Sequence, residues 1–194
     1  MTAMLKTEKS ALILHDLDIE IVSLIEKCVN KVDKELDFHP EIIIYGKVAH
    51  QRRSIGFYSD ISKGYNYSST ITPAKKMHKC LNKLLSYIND KFECEYNGIL
   101  INKYMGGEEC IGKHSDDERG LDDRVGVIAL SYGAVRKFRV RDKNTNKIII
   151  DIPTDPNKII QMYGNFQKEF THEIPVEKKI KEVRYSFTFR KHTS

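Results

Sequence analysis

From Gly98 to Arg190 the chain reads as a run of short strands, and that run restricts the fold more than any other feature. GILINKY, VGVIALSYG, KFRVRD, KIIIDI, KIIQMYG and EVRYSFTFR are rich in β-branched and aromatic residues, with turns at 142–146 and 155–157. Such strands joined by turn-rich connections predict a sandwich or barrel, here a jelly-roll or cupin-like double sheet. Ahead of them, Asp16 to Leu36 places Ile21, Leu24, Ile25, Cys28, Val29 and Val32 at helical spacing. Thr72-Pro73 predicts the start of a second helix, with Thr as N-cap and Pro at the first helical position. Met77, Leu81, Leu84, Leu85 and Ile88 form its apolar stripe, and it ends near Asn89. Both helices are expected to brace one sheet face. Glu41 to Val48 reads as one strand. With no linker in view, residues 1–194 are expected to form one α+β, mainly β, domain, with the jelly roll over 98–191.

Within this frame, His114 and Asp116 stand two residues apart, which in an extended backbone puts both side chains on one side. They could grip one metal ion from one edge, and His172 in FTHEIP is the candidate third ligand. Two histidines and one carboxylate, with the remaining positions open, suit a non-haem Fe(II) oxygenase. A bare His-x-Asp arises often by chance, so the final strand matters. Arg184, Thr188 and Arg190 share parity there and project to one face. Two guanidiniums and a hydroxyl are expensive to bury without an anion, and a dicarboxylate fits them. Asn102 and Tyr104 share a face of the strand leading to the metal pair and could donate to the same anion. The alternative is a water-facing edge strand.

Composition agrees with a globular protein: 40% apolar and 30% charged residues. No apolar run approaches the ~18 residues of a membrane span, and MTAMLKTEKS lacks the apolar core of a signal peptide. An intracellular protein of nucleus or cytoplasm, without a membrane, is expected. Cys28, Cys80, Cys94 and Cys110 are scattered, which suggests reduced thiols. Lys plus Arg exceed Asp plus Glu by 32 − 27 = 5, a mild excess compatible with a phosphate-backbone partner. It gathers at His50, Arg52 and Arg53, and again at Arg136, Lys137, Arg139 and Arg141. From Gln51 to Ser69, Arg52, Arg53, Phe57, Tyr58, Tyr65 and Tyr67 are interspersed with Gly and Ser. That loop-rich segment could stack on bases and hold phosphates, or it could be a tyrosine-rich hairpin packed on the core.

INKY, HSDDE, IALSYGAVRKFRVR, GNFQKEFTHEIP and RYSFTFRK, in this order and spacing, closely resemble the AlkB family of Fe(II)- and 2-oxoglutarate-dependent dioxygenases. The likeness runs from about Gly98 to Lys191. In the first half, YGK followed by RR and GYNY is similar to the nucleotide-recognition region of the family's DNA-repair members. The resemblance implies Fe(II) held by His114, Asp116 and His172, and 2-oxoglutarate held by Asn102, Tyr104, Arg184, Thr188 and Arg190. It also implies substrate contacts from Tyr45, Gly46 and Lys47 on a finger inserted into the duplex, from Tyr67 and Ser68 around the base pocket, from Asp117 and Glu118 near the lesion base, and from Arg53. Which arginine meets which carboxylate is left open. Two departures stand out: Phe170 replaces the family's usual Trp, and Tyr45 replaces the apolar wedge of duplex-specific members.

The activity implied is oxidative demethylation with O2, in which an N-methyl group on 1-methyladenine or 3-methylcytosine is hydroxylated and leaves as formaldehyde, while 2-oxoglutarate becomes succinate. The expected partner is methylated DNA or RNA, met by a monomer. An RNA-modification demethylase or a protein hydroxylase would use the same metal centre; a nucleic-acid-binding module that only retains the fold would lack turnover.

Overall fold

The computed structural model describes all residues except Tyr45, Ser69, Arg119, Asp123 and Ser194. In chain order the strands and helices are β1 (Thr2–Lys6), β2 (Ser10–Asp16), α1 (Ile19–Val32), β3 (Glu41–Ile44), β4 (Lys47–His50), β5 (Ser54–Tyr58), β6 (Gly64–Tyr67), β7 (Thr70–Lys75), α2 (Lys79–Phe92), β8 (Gly98–Tyr104), β9 (Ile111–His114), β10 (Val127–Gly133), β11 (Lys137–Asp142), β12 (Ile148–Pro153), β13 (Lys158–Gly164), α3 (Phe166–Glu169), β14 (Phe170–Ile174) and β15 (Arg184–Arg190). A nine-stranded sheet in the order β1-β2-β13-β10-β15-β8-β5-β7-β6 faces a four-stranded sheet in the order β12-β11-β14-β9. This is the jelly roll the strand pattern predicts.

Side-chain alternation along the large sheet builds two cores. On one face Ile99, Ile101, Ile128, Leu130, Phe187 and Phe189 pack against Ile25, Cys28, Val32, Leu81, Leu84 and Ile88 of the two helices. Every second residue points the other way, so Tyr104, Ile160 and Met162 meet Phe138, Val140, Ile152, Phe170 and Ile174 of the small sheet. The helices therefore brace one face, as expected, and the space between the sheets is left for the site.

Two expectations fail in the first half. Thr72-Pro73 opens no helix: it lies in β7, which pairs antiparallel with β6 and parallel with β5. The helix starts at Lys79 after His78, and the Asp60 carboxylate accepts from the Met77 N–H at 3.0 Å, just ahead of that start. Strand pairing overrode a local signal that also fits a strand next to the sheet edge, where a missing N–H is tolerated. Glu41 to Val48 is not one strand but the hairpin β3–β4, turned at Gly46 with φ +74°. Residues 2–16, to which no element is assigned ahead of the helix, add two strands beyond β13. The 51–69 segment contains β5 and β6, which do not pair with each other, and its Phe57, Tyr58 and Tyr65 are buried, so it packs on the core rather than standing as an exposed stacking loop, without forming a hairpin of its own.

The basic cluster at 136–141 is largely paired with acidic side chains or buried. Arg139 is paired with Asp151 at 2.7 Å and Arg141 with Glu173 at 2.8 Å across neighbouring strands. Arg136 is buried and donates to the carbonyls of Gly106, Glu109 and Pro175 at 3.0, 3.0 and 2.7 Å, with Glu177 at 3.2 Å. It fastens the loop after β8 to the one after β14. Gly107 lies inside that joint, where a Cβ would come within 1.8 Å of the Glu177 carbonyl oxygen. Arg136→Met is expected to cost about 3–5 kcal/mol, because three carbonyls lose their donor at once, while the half-buried Glu177 carboxylate keeps only the Lys137 side of its pairing. Urea denaturation checks this; a loss under about 1 kcal/mol would show that the joint holds without the guanidinium.

Candidate metal centre and anion slot

β9 delivers His114 and β14 delivers His172, and the two strands pair so that these residues lie directly opposite each other. Their ring centroids are 4.3 Å apart. Asp116 follows β9 by two residues and closes the group: its Oδ1 lies 3.7 Å from His114 Nε2 and its Oδ2 3.7 Å from His172 Nε2. One donor atom from each residue lies within 4.8 Å of the others. A single divalent ion bonding such donors at about 2.0–2.2 Å can reach all three.

The surroundings prepare these atoms as ligands. His114 Nδ1 donates to the Gly112 carbonyl at 2.9 Å, which leaves Nε2 with its lone pair facing inward. The Asp116 N–H donates to Gln167 Oε1 at 2.9 Å, and Arg190 Nη2 donates to Asp116 Oδ1 at 2.6 Å. Burial alone would raise the Asp116 carboxyl, but Arg190 and the two histidines hold it at about 2. Burial, helped by His114, pushes His172 down to about 3, and burial lowers His114 as well. The result is an anionic carboxylate and two neutral imidazoles, the protonation states that metal binding requires.

Beside this group runs a slot between the sheets. Its walls include Asn102 and Tyr104 from β8, and Arg184, Ser186, Thr188 and Arg190 from β15, all from the inward parity of their strands. Arg190 stands at the metal end. Arg184 stands at the opposite end of β15, donating to Ser131 Oγ at 3.0 Å and lying 5.2 Å from the Tyr104 ring centre. The guanidiniums are only partly satisfied: Nε and Nη1 of both arginines are buried and lack a hydrogen-bond partner among the described residues. Burial pulls the Arg184 guanidinium below its ordinary value. Four orphaned guanidinium nitrogens around one slot call for an anion with several oxygens. The donor set thus fits a chelating dicarboxylate beside a divalent metal.

The other residues singled out from the sequence divide into two groups. Arg53 and Tyr67 line the slot near its mouth, with the Arg53 guanidinium 5.5 Å above the Tyr67 ring. Glu118 Oε1 accepts from Tyr65 Oη at 2.6 Å, while its Oε2 is buried without a partner among the described residues. Burial and the Asp116 charge raise Glu118 to about 7. Asp117 turns away and pairs with Lys143 at 2.7 Å. Ser68 sits exposed in the turn after β6 with φ +47°. Gly46 and Lys47 belong to the separate β3–β4 hairpin, where Ile43, Ile44 and Val48 are exposed. Tyr45 lies outside the described residues. Sequence reasoning missed Ser186, whose parity with Arg184 and Thr188 was readable, and Gln167, for which no sequence signal exists.

With this geometry established, comparison with known proteins is direct. The model of the 2OG-Fe(II) oxygenase superfamily matches residues 20–190. Human ALKBH2, a DNA oxidative demethylase, is 25% identical over 177 residues, covering 86% of this chain and 68% of its own. Human alkB homolog 3, an alpha-ketoglutarate-dependent dioxygenase, is 30% identical over 149 residues, covering 72% and 51%. The chain thus spans about two thirds of the first relative's length and about half of the second's. The solved structure of OsALKBH1 superposes with a TM-score of 0.61 over 93% of this chain and 97% of its own, at 15% identity, a likeness of fold alone. No helix among the described residues is long and apolar enough to cross a membrane. The chain belongs to the 2OG-Fe(II) oxygenase superfamily and, within it, to the AlkB family.

Proposed function

We propose that the protein is a monomeric Fe(II)- and 2-oxoglutarate-dependent demethylase that removes N-methyl lesions, 1-methyladenine and 3-methylcytosine, from DNA. The observation that carries this reading is the His114–Asp116–His172 cluster opening onto a slot of unsatisfied guanidiniums. His114, Asp116 and His172 would hold iron, and Asn102, Tyr104, Arg184, Thr188 and Arg190 would hold 2-oxoglutarate. When bound, iron and 2-oxoglutarate supply the O2-dependent oxidation of the N-methyl group, which leaves as formaldehyde.

The rest is placement by side chains. Arg184 pairs with the distal carboxylate of 2-oxoglutarate, since it stands farthest from the metal group. Arg190, already bonded to Asp116, steadies the chelating end. Tyr67, at the mouth and edge-on to His114 with centroids 6.0 Å apart, offers a face for a base turned out of its stack. Glu118 presents a buried oxygen to a methylated base, which is cationic and so preferred over the neutral one. The β3–β4 hairpin, with exposed isoleucines and Lys47, suits contact with an opened strand. The name of the ALKBH2 relative, a DNA oxidative demethylase, supports DNA as the substrate.

The test is mass spectrometry of methylated single- and double-stranded oligonucleotides after incubation with iron, 2-oxoglutarate and ascorbate. Loss of the methyl group with release of formaldehyde is expected. Turnover only on methylated RNA or on peptides would overturn the DNA assignment. Glu118→Gln is expected to slow damaged-base turnover about 10–100-fold, as for loss of a charged hydrogen bond. Asp117→Asn should change it less than about threefold, because Asp117 faces Lys143 and solvent. Uncoupled 2-oxoglutarate decay should persist in both variants; an equal loss of turnover and decay in Glu118→Gln would contradict its role at the base.

A further inference from the structure

Arg53 is 3% exposed, unusual for an arginine placed among aromatics near a proposed nucleic-acid entrance. Its Nε–H donates to Asn102 Oδ1 at 2.8 Å, and Asn102 is itself 6% exposed. A guanidinium can only donate, whereas a side-chain amide has one accepting end and one donating end. The bond therefore decides which way the Asn102 amide faces. Flipping it would set N–H groups against N–H groups in a buried place and leave both without partners. With Oδ1 committed to Arg53, Nδ2 lies on the slot side, 3.5 Å from Ser186 Oγ. On its other flank the guanidinium rests 5.5 Å from the Tyr67 ring centre.

We infer that Arg53 is a positioning residue: it locks the Asn102 amide so that its N–H groups face the carboxylate of 2-oxoglutarate. The inference rests on the slot being the 2-oxoglutarate site. It assigns Arg53 to the co-substrate rather than to nucleic-acid phosphates, which fits its burial and its committed Nε. Without Arg53 the amide is free to present its carbonyl to a carboxylate, and affinity for that carboxylate falls.

The experiment is calorimetric titration of 2-oxoglutarate into the Mn(II)-loaded protein without O2, alongside steady-state kinetics on a methylated oligonucleotide. Arg53→Gln is expected to weaken 2-oxoglutarate binding about tenfold, the value of one buried hydrogen bond. Mn(II) affinity and the oligonucleotide KM should stay within about twofold. Arg53→Lys, a charged group that can only donate where glutamine can also accept, should recover part of the loss. In an Asn102→Ala background, Arg53→Gln should have no further effect on 2-oxoglutarate, since the amide that Arg53 orients is then absent. Unchanged 2-oxoglutarate affinity with a raised oligonucleotide KM would overturn the inference, as would additive losses in the double variant. If Arg53→Gln does not fold, Arg53→Lys in the two backgrounds gives the same cycle. A native protein that binds Mn(II) but no 2-oxoglutarate would instead overturn the slot reading itself.

Discussion

Replacing His114 with alanine is expected to lower demethylation by on the order of 10³-fold or more and to release iron on dialysis, since it removes one of only three protein donors. The fold should survive. His114 ends strand β9 at the margin of the small sheet, and its ring donates one hydrogen bond, to the Gly112 carbonyl just behind it. Metal content after dialysis, read beside formaldehyde release, checks both halves. A variant that keeps its iron and turns over within about tenfold of the native protein would show that the cluster is not the reaction centre. Asp116→Ala is a less clean version of the same experiment. It also strips Arg190 of its carboxylate, and leaving a buried guanidinium unpaired costs about 3–5 kcal/mol on its own.

The second large effect belongs to Arg184. Among the described residues its Nε and Nη1 are buried and unanswered, while Nη2 donates to the Ser131 hydroxyl. Arg184→Gln is expected to raise the KM for 2-oxoglutarate at least about 100-fold, as two charge-assisted hydrogen bonds worth about 1.5–3 kcal/mol each are lost. kcat at saturating 2-oxoglutarate should fall much less, because the change acts far from the metal group. Arg190→Gln separates the two ends of the slot: it should disturb iron retention as well as 2-oxoglutarate, since Arg190 is bonded to a metal-facing carboxylate. Equal and purely kcat-limited losses in both variants would contradict the opposite placement of the two arginines. Initial rates against 2-oxoglutarate concentration are the measurement.

Much of the catalytic half was legible because strand parity carries chemistry directly. Arg184, Thr188 and Arg190 fall on one face whatever the neighbouring strands do, and Asn102 and Tyr104 do likewise. The first half was less legible because its elements take their form from partners distant in sequence. Thr72-Pro73 carries a valid helix-start signal, but pairing with β6 and β5 claims it for a strand. Residues 2–16 become strands only because β13 offers an open edge nearly 150 residues later. The charged run at 136–141 misleads for the same reason: its acidic partners, Asp151, Glu173 and Glu177, lie on other strands and loops. The Arg53–Asn102 bond joins the residue just ahead of β5 to β8 and leaves no local trace in the sequence.

β9 is the outermost strand of the small sheet and touches that sheet through β14 alone, with the pairing interrupted between His172 and Ile174. An ion bonded to both histidines would act as a rivet through that lip, and its binding energy would add to the cost of peeling the strand away. Iron starvation would then do more than idle the catalyst. It would loosen an edge that proteases can reach, so that the amount of protein surviving in a cell follows the metal supply.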